Sequence, residues 1–394
     1  MPVSKEKHTT STPDASTAEP SSPVFPEQQV FHQYLRTLAQ SAVRVVLETV
    51  MCEELDQFIG AVRGERSPKR KGYRNGSYRG DLVTSTGRLQ DIHVPRDREG
   101  HFHTQAFERY CRYEPHIADG LTQMFVAGTS THKVGEVAQT LLGVAPSAST
   151  ISRLNQSLTQ QYETWRERPL REHWRVLYLD GIHFSIRHGD QADSTIILTA
   201  LGVDLAGNKE VLALRACAEE DKEGWACLLQ DLRKRGATQI DLIVTDGQDG
   251  LLAAVAEWFT ATPRQRCLVH KQRNVLHAIP RRERGDVQAE LVGIWEQPSK
   301  QEAVAQLAAF KAKYAQRYPE AVRSLTEDEE HLLTFYAFPQ MMHRHIQTTN
   351  AIESLFSNVR QRTDQIDVFT TETSCLTIVW ATIQDIRLHK ISVS

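Results

Sequence analysis

The chain has 394 residues, 40% hydrophobic and 24% charged, a balance with room for more than one core that excludes a wholly disordered or collagen-like protein. Six cysteines lack any repeated CxxC spacing, no N-terminal segment resembles a signal peptide, and no run approaches the roughly 20 apolar residues of a membrane helix. A cytoplasmic protein without a membrane partner is expected. The net charge of -3 conceals two basic blocks: residues 61–112 hold twelve Lys/Arg against six Asp/Glu, and residues 262–284 hold seven against one Glu. Such blocks fit either a polyanion bound at defined places or ordinary solvated surface.

Residues 1–27 are rich in Ser, Thr and Pro with little apolar periodicity, which predicts a disordered tail. Residues 28–62 show helical spacing of Phe31, Leu35, Leu38, Val45 and later apolar residues, giving one long helix or two shorter ones. The segment ERSPKRKGYRNGSYRG then interleaves tyrosines with Lys69, Arg70, Lys71, Arg74 and Arg79, as a loop contacting a DNA backbone would; a solvated loop is the alternative. Residues 81–95 read as a β-hairpin around Thr86 and Gly87. Three helices are expected between 115 and 168. The last two, separated by Gly143 and capped by Ser147, have a helix-turn-helix outline that would present Ser149, Thr150, Ser152 and Arg153 to the major groove, although any two packed helices share it.

Beyond Pro169 the pattern changes to strands at 176–186, 195–203 and 209–218, a helix at 222–235, a strand at 242–245, a helix at 250–260 and a strand at 265–269. The opening is that of a ribonuclease-H-like sheet. Helical sequence follows, including an amphipathic stretch over 300–318, and then a helix that Thr348 or Thr349 can cap and that carries Glu353 near its start. The expected α/β chain therefore has a tail (1–27), a mainly helical DNA-binding region with a β-hairpin (28–168), and a core in two parts (169–270 and 346–394) around a helical insertion (271–345).

Two apolar runs, VLYLD and LIVTD, each deliver one aspartate, Asp180 and Asp246, to a strand end followed by glycine. Carboxylates side by side repel unless a divalent cation lies between them. With Glu353 they suit two Mg²⁺ ions about 4 Å apart, Mn²⁺ substituting, which would activate a water or 3′-hydroxyl and stabilise the leaving oxygen at phosphorus. Taken singly, each aspartate reads as a turn former and Glu353 as a complement to its helix dipole.

The segments GYRNGSYRGDLVTSTGRLQDIHVPRDREGHF, LDGIHFSIR, TDGQDGLLAAV, QRCLVH and TTNAIESLFSNVRQRT occur in that order, and from about Phe31 to the C-terminus the chain resembles the Mutator-type transposases of bacterial insertion sequences. The resemblance implies a DDE transposase that binds terminal inverted repeats and joins DNA strands by direct transesterification, with Asp180, Asp246 and Glu353 as metal ligands. It also implies a Cys-x-x-His pair at Cys267 and His270. His270 either touches a phosphate beside the carboxylates or packs structurally with Cys267, while Arg266, Lys271 and Arg273 flank the pair and line a DNA path. Trp225 matches a family tryptophan that stacks on an extruded base or simply packs. Joining two element ends implies a homo-oligomer acting on double-stranded DNA in the nucleoid. Gln347, His343 and Asp364 depart from the family pattern, which keeps a catalytically impaired DNA-binding descendant in view beside a nuclease without strand transfer.

Overall fold

The structure is a computed structural model that describes residues 28–106, 113–126, 129, 131–189 and 191–393. The expected tail over 1–27 and the side chain of Ser149 lie outside the described residues. Contacts along the chain separate two units, one of residues 1–117 with 139–144, the other of residues 118–138 with 145–394.

In the first unit, a run free of glycine and proline lets α1 (Gln28–Ile59) continue unbroken for 32 residues, so a single helix replaces the two-helix alternative. Gly60 ends it at φ +73, a left-handed conformation that costs glycine little. The hairpin joins β1 (Arg74–Thr84) to β2 (Gly87–Asp97) in antiparallel register, Thr84 opposite Gly87. Leu82, Leu89, Ile92 and Val94 bury against Met51 of α1. The ladder extends beyond the expected 81–95, since Ser77 and Tyr78 find partners in Pro95 and Val94. Half of the basic segment is therefore strand and not loop.

Three helices follow, α2 (Pro115–Val126), α3 (Thr131–Leu142) and α4 (Ala148–Glu167). Gly143 terminates α3 at φ +71, and the Ser147 side chain caps α4 by accepting the Thr150 N–H. Thr150 itself is buried, contrary to the exposed position expected of it. Near its far end α4 packs Tyr162 and Trp165 against Trp380.

The central sheet grows from β4 (Val176–His188), preceded by the two-residue β3 (His173–Trp174), and continues through β5 (Gln191–Val203) and β6 (Lys209–Cys217). Then come α5 (Lys222–Lys234), β7 (Gln239–Ile240) paired with β3, β8 (Ile243–Thr245), α6 (Asp249–Trp258) and β9 (Arg264–Arg266). The strand order is β6-β5-β4-β8-β9, antiparallel among β4, β5 and β6 and parallel from β4 to β8 to β9. Alternation divides its side chains between two cores. Leu177, Leu179 and Leu198 meet Trp225, Leu229, Leu251 and Val255 of α5 and α6. Tyr178, Ile182, Ile197 and Leu201 join the core on the opposite face.

That second core is completed by α7 (Leu268–His277), α8 (Arg284–Trp295), α9 (Lys300–Tyr314), α10 (Pro319–Glu327), α11 (Glu329–Leu332), α12 (Gln340–Ile346), α13 (Asn350–Thr363) and α14 (Glu372–Gln384). Two expected boundaries move. The strand expected over 265–269 stops at Arg266, because the Leu268 N–H donates to the Gln347 carbonyl and not to a strand neighbour, and α7 starts there. The helix expected over 300–318 ends at Tyr314, since a residue preceding proline avoids helical dihedrals and Tyr318 precedes Pro319 at φ −137. The protein is thus mixed α/β, and among the described residues no helix is long and apolar enough to cross a membrane.

Candidate active site

Register brings the two aspartates together. Leu179 of β4 stands opposite Thr245 of the parallel β8, so the next residues, Asp180 and Asp246, lie at one level, where strands are about 4.8 Å apart. Asp246 does follow the end of β8, but Asp180 sits within β4, paired with Thr199, and not at the strand end expected for it. The Thr245 carbonyl accepts the Cys267 N–H at 2.8 Å, setting the start of α7 beside Asp246. Because Leu268 also binds the carbonyl of Gln347, the residues leading into α13 are held at the same place. Four separate chain segments thereby converge.

Glu353 enters through Thr349, whose buried hydroxyl donates to Glu353 Oε1 at 2.6 Å and lies 3.2 Å from Cys267 Sγ and 3.4 Å from His270 Nδ1. Cys267 Sγ and His270 Nδ1 are 3.3 Å apart, and His270 Nδ1 is 3.8 Å from Glu353 Oε1. Thus Cys267, His270 and Glu353 place their ligand atoms close enough to share one metal ion. The Cys267 hydrogen bond raises the His270 pKa; burial pushes the Cys267 thiol up, but hydrogen bonds from His270 and Thr349 bring it below its ordinary value.

Burial, together with the charges of Asp246 and Glu220, pushes Asp180 up to about 7 against the lowering effect of the Gly181 N–H. Glu220 is the residue the sequence did not single out. Burial and Asp246 raise it to about 6, and the Trp225 indole N–H, which lacks a hydrogen bond of standard geometry, acts in the opposite sense. Its carboxylate lies 3.6 Å from the point a Cβ on Gly181 would occupy. The acidic run from Glu219 to Asp221 reads as the start of a helix, and Asp221 does cap α5 by accepting the Gly224 N–H. The missed signal was topological: β6 runs parallel to β4, so the loop after it returns to the edge that carries Asp180.

Gly247, at φ +85, packs directly under the Arg266 guanidinium, and a Cβ there would overlap that side chain. Gly247→Ala is therefore expected to destabilise the protein by about 2 kcal/mol or more, through a strained backbone and a displaced Arg266. Denaturant unfolding of the two proteins measures this; a loss under roughly 0.5 kcal/mol would contradict the packing.

The other expected site residues separate into three groups. Lys69, Lys71, Arg79, Arg153 and Arg273 are exposed. Arg70 lies over the Tyr73 ring at 4.6 Å, and Arg74 is engaged by Asp56 and the Ala61 carbonyl, so Arg74 is a brace between α1 and the hairpin. Arg266 and Lys271 are withdrawn from the expected DNA path altogether: they are 6% and 2% exposed and both bind Asp328. Trp225 is fully buried, which leaves packing and removes stacking on a base. His343 sits edge-on to Phe335 and Tyr336 with Nε2 2.8 Å from the Phe338 carbonyl.

A family model described as "Transposase, Mutator family" matches residues 24–390. The transposase for insertion sequence element ISRM5 of Rhizobium meliloti (strain 1021) is 37% identical over 342 residues, covering 87% of this chain and 86% of the relative. The transposase for IS905 of Lactococcus lactis subsp. lactis (strain IL1403) is 31% identical, covering 84% and 85%. The transposase for IS256 in transposon Tn4001 of Staphylococcus aureus is 28% identical, covering 89% and 90%. Among solved structures, the Drosophila P element transposase strand transfer complex aligns with 74% of this chain and 95% of its own at 10% identity and a TM-score of 0.40. With a family match across nearly its whole length and relatives of one kind over more than four-fifths of it, the chain belongs to the Mutator family of transposases.

Proposed function

We propose that the chain is a DDE transposase with a ribonuclease-H-like core, which recognises the terminal inverted repeats of its insertion sequence, cuts the DNA there and joins the freed ends to target DNA. The observation that carries this reading is the pairing of Leu179 with Thr245, which sets Asp180 beside Asp246, with Glu353 tied through Thr349 to His270 at the same edge. Exposed Lys69, Lys71 and Arg79 of the hairpin segment, and Arg153 of α4, are the proposed contacts to element-end phosphates. Two ends must be brought together, which calls for more than one copy of the chain, acting in the nucleoid.

The donor set fits a divalent cation. Hard carboxylate oxygens crowd at one sheet edge, and repulsion among Asp180, Asp246 and Glu220 is what a bound cation relieves. Asp180, Asp246 and Glu353 would hold Mg²⁺ or Mn²⁺, which when bound supplies Lewis-acid polarisation of the phosphate and a more acidic nucleophile. The protein's own groups do the rest. The Thr349 hydroxyl fixes one oxygen of Glu353, and the Gly181 N–H fixes one oxygen of Asp180 at 2.8 Å. His270 commits Nδ1 to Cys267 and Thr349, which leaves Nε2 to meet a phosphate oxygen. In cleavage a water oxygen bonds to phosphorus as the bond to the 3′ oxygen breaks, and that oxygen takes a proton. In joining, the 3′-hydroxyl oxygen attacks a target phosphorus, whose own 3′ oxygen departs, with no protein–DNA bond formed.

The test is nicking of a plasmid carrying the gene with its native flanks, comparing wild type with Asp246→Asn. Nicks at the element borders with Mg²⁺ or Mn²⁺, absent in the variant, are expected. Scattered nicks would replace the reading with a general nuclease, and border binding without cutting in either metal would replace it with an inactive DNA-binding descendant.

A further inference from the structure

A cleft of about 830 Å³ runs beside α13 in the unit that carries the sheet, and none of its lining residues belongs to the proposed metal ligands or to the proposed contacts of the hairpin segment and α4. On α13 it is lined by Asn350, Ser354, Asn358 and Gln361. Their spacing of four, four and three residues places them on one helical face, over a length of about 16 Å. Ser354 adjoins Glu353, so the row of amides and hydroxyl leads away from the proposed catalytic edge.

The remaining walls are cationic and firmly built. Lys209 opens β6, Arg344 belongs to α12, and Arg362 and Arg387 come from α13 and the C-terminal segment. Asp385 is the one carboxylate in the lining, and it is paired with Arg362 at 3.1 Å. Among the described residues Lys209, Arg344 and Arg387 have no carboxylate partner. The C-terminal wall is held by the Ile391 N–H donating to the Gly207 carbonyl at 3.0 Å, at a turn where Gly207 has φ +83 and room for no Cβ against the Ile391 carbonyl. Tyr178 of β4 donates its hydroxyl to the His345 carbonyl at 2.9 Å and fixes the end of α12. Three uncompensated cations on fixed supports, one of them half-buried, create a positive field that solvent screens only in part.

We propose that this cleft seats the sugar–phosphate backbone of duplex DNA as it passes Glu353. The inference rests on the transposase reading of the site and extends it to a second DNA surface, distinct from the hairpin segment and α4. Cations arranged beside neutral donors suit a phosphate row: the charges attract it, while the amides fix its register without selecting a base. A row of about 16 Å spans more than one phosphate of a strand and is too long for a single small anion. The duplex is either the DNA flanking the element end or the target.

The experiment uses the full chain and fluorescence anisotropy over a salt series, with one duplex cut from the gene's border including flank and one unrelated duplex. Arg344→Glu/Arg387→Glu is expected to make the slope of log affinity against log salt shallower by about 2, close to one unit for each phosphate that is no longer neutralised. Arg344→Lys/Arg387→Lys should restore the slope. Asn358→Ala/Gln361→Ala should weaken binding severalfold at every salt concentration with the slope unchanged, which gives a second readout free of charge reversal. Weakening confined to the border duplex assigns the cleft to flanking DNA, and weakening on the unrelated duplex assigns it to target DNA. If wild type binds and nicks but neither the charge reversal nor the amide variant changes binding to either duplex, the cleft proposal is overturned alone. A wild type that binds neither duplex overturns the cleft and the transposase reading together.

Discussion

Replacing Asp180 with asparagine will abolish strand cleavage while making the metal-free protein more stable at alkaline pH. The loss of cleavage should be roughly 10³-fold or more, the scale on which removal of a central catalytic group acts. The gain in stability follows from linkage. Burial and the neighbouring Asp246 and Glu220 charges raise the folded-state pKa of Asp180 from 3.8 to about 7. A carboxyl raised in this way favours folding fully below its unfolded value and loses that contribution as pH climbs through about 7. Wild type in chelator should therefore lose stability relative to Asp180→Asn between pH 4 and 7, with the difference level above that window and closing below it. Calorimetric Tm values of both proteins across pH, with and without Mg²⁺, measure this. The same protonation predicts that Mg²⁺ raises the wild-type Tm more at pH 8 than at pH 5. A variant that is inactive yet equally stable at all pH values would mean that the carboxylates do not strain one another.

Asp328→Ala should be the most destabilising single change in the helical part of the chain, by about 3–5 kcal/mol, because it strands two buried cations. Asp328 Oδ2 accepts from Lys271 Nζ at 2.7 Å and from Arg266 Nε at 3.0 Å. Lys271 Nζ also donates to the Ser324 carbonyl at 2.7 Å. Burial pushes the Asp328 carboxyl up, but the hydrogen bond and charge of Lys271, with those of Arg266, carry it below the usual value. Its contribution is therefore present above the unfolded pKa near 3.8 and fades only as pH falls through the lower folded value. Denaturant melts at pH 7 should show the full loss for Asp328→Ala and most of it for Asp328→Asn, which keeps the shape without the charge. A change below roughly 1 kcal/mol would place this cluster in the class of surface ion pairs. Since Arg266 packs on Gly247, the residue after Asp246, metal affinity in the surviving folded fraction should fall as well.

Much of the site was legible because its signals are local. An apolar run ending in Asp-Gly marks a buried strand that carries a carboxylate, and both instances lie on neighbouring strands, although only Asp246 follows a strand end while Asp180 is inside β4. Glu353 was legible from the Thr-Thr-Asn start of its helix, although Thr349 uses its hydroxyl on Glu353 and not as a cap. What was hidden depends on partners distant in sequence. Arg266 and Lys271 sit in a strongly basic block and look solvated until α10 and α11 bring Asp328 onto them. Glu220 resembles helix-start acidity and reveals itself only when the strand order returns its loop to Asp180. The place of His343, edge-on to Phe335 and Tyr336, likewise shows only in the folded chain.

The two units also differ in when they can form. Every residue of the hairpin unit has been synthesised by position 144, whereas the carboxylate set waits for Glu353 and the helices that hold it. At about 5–20 residues per second the interval is roughly 10 to 40 s. A nascent chain can thus complete the hairpin unit well before the residues that gather around Glu353 have been made. Chains truncated before α13 by a frameshift would carry every residue of the hairpin unit and lack Glu353 permanently.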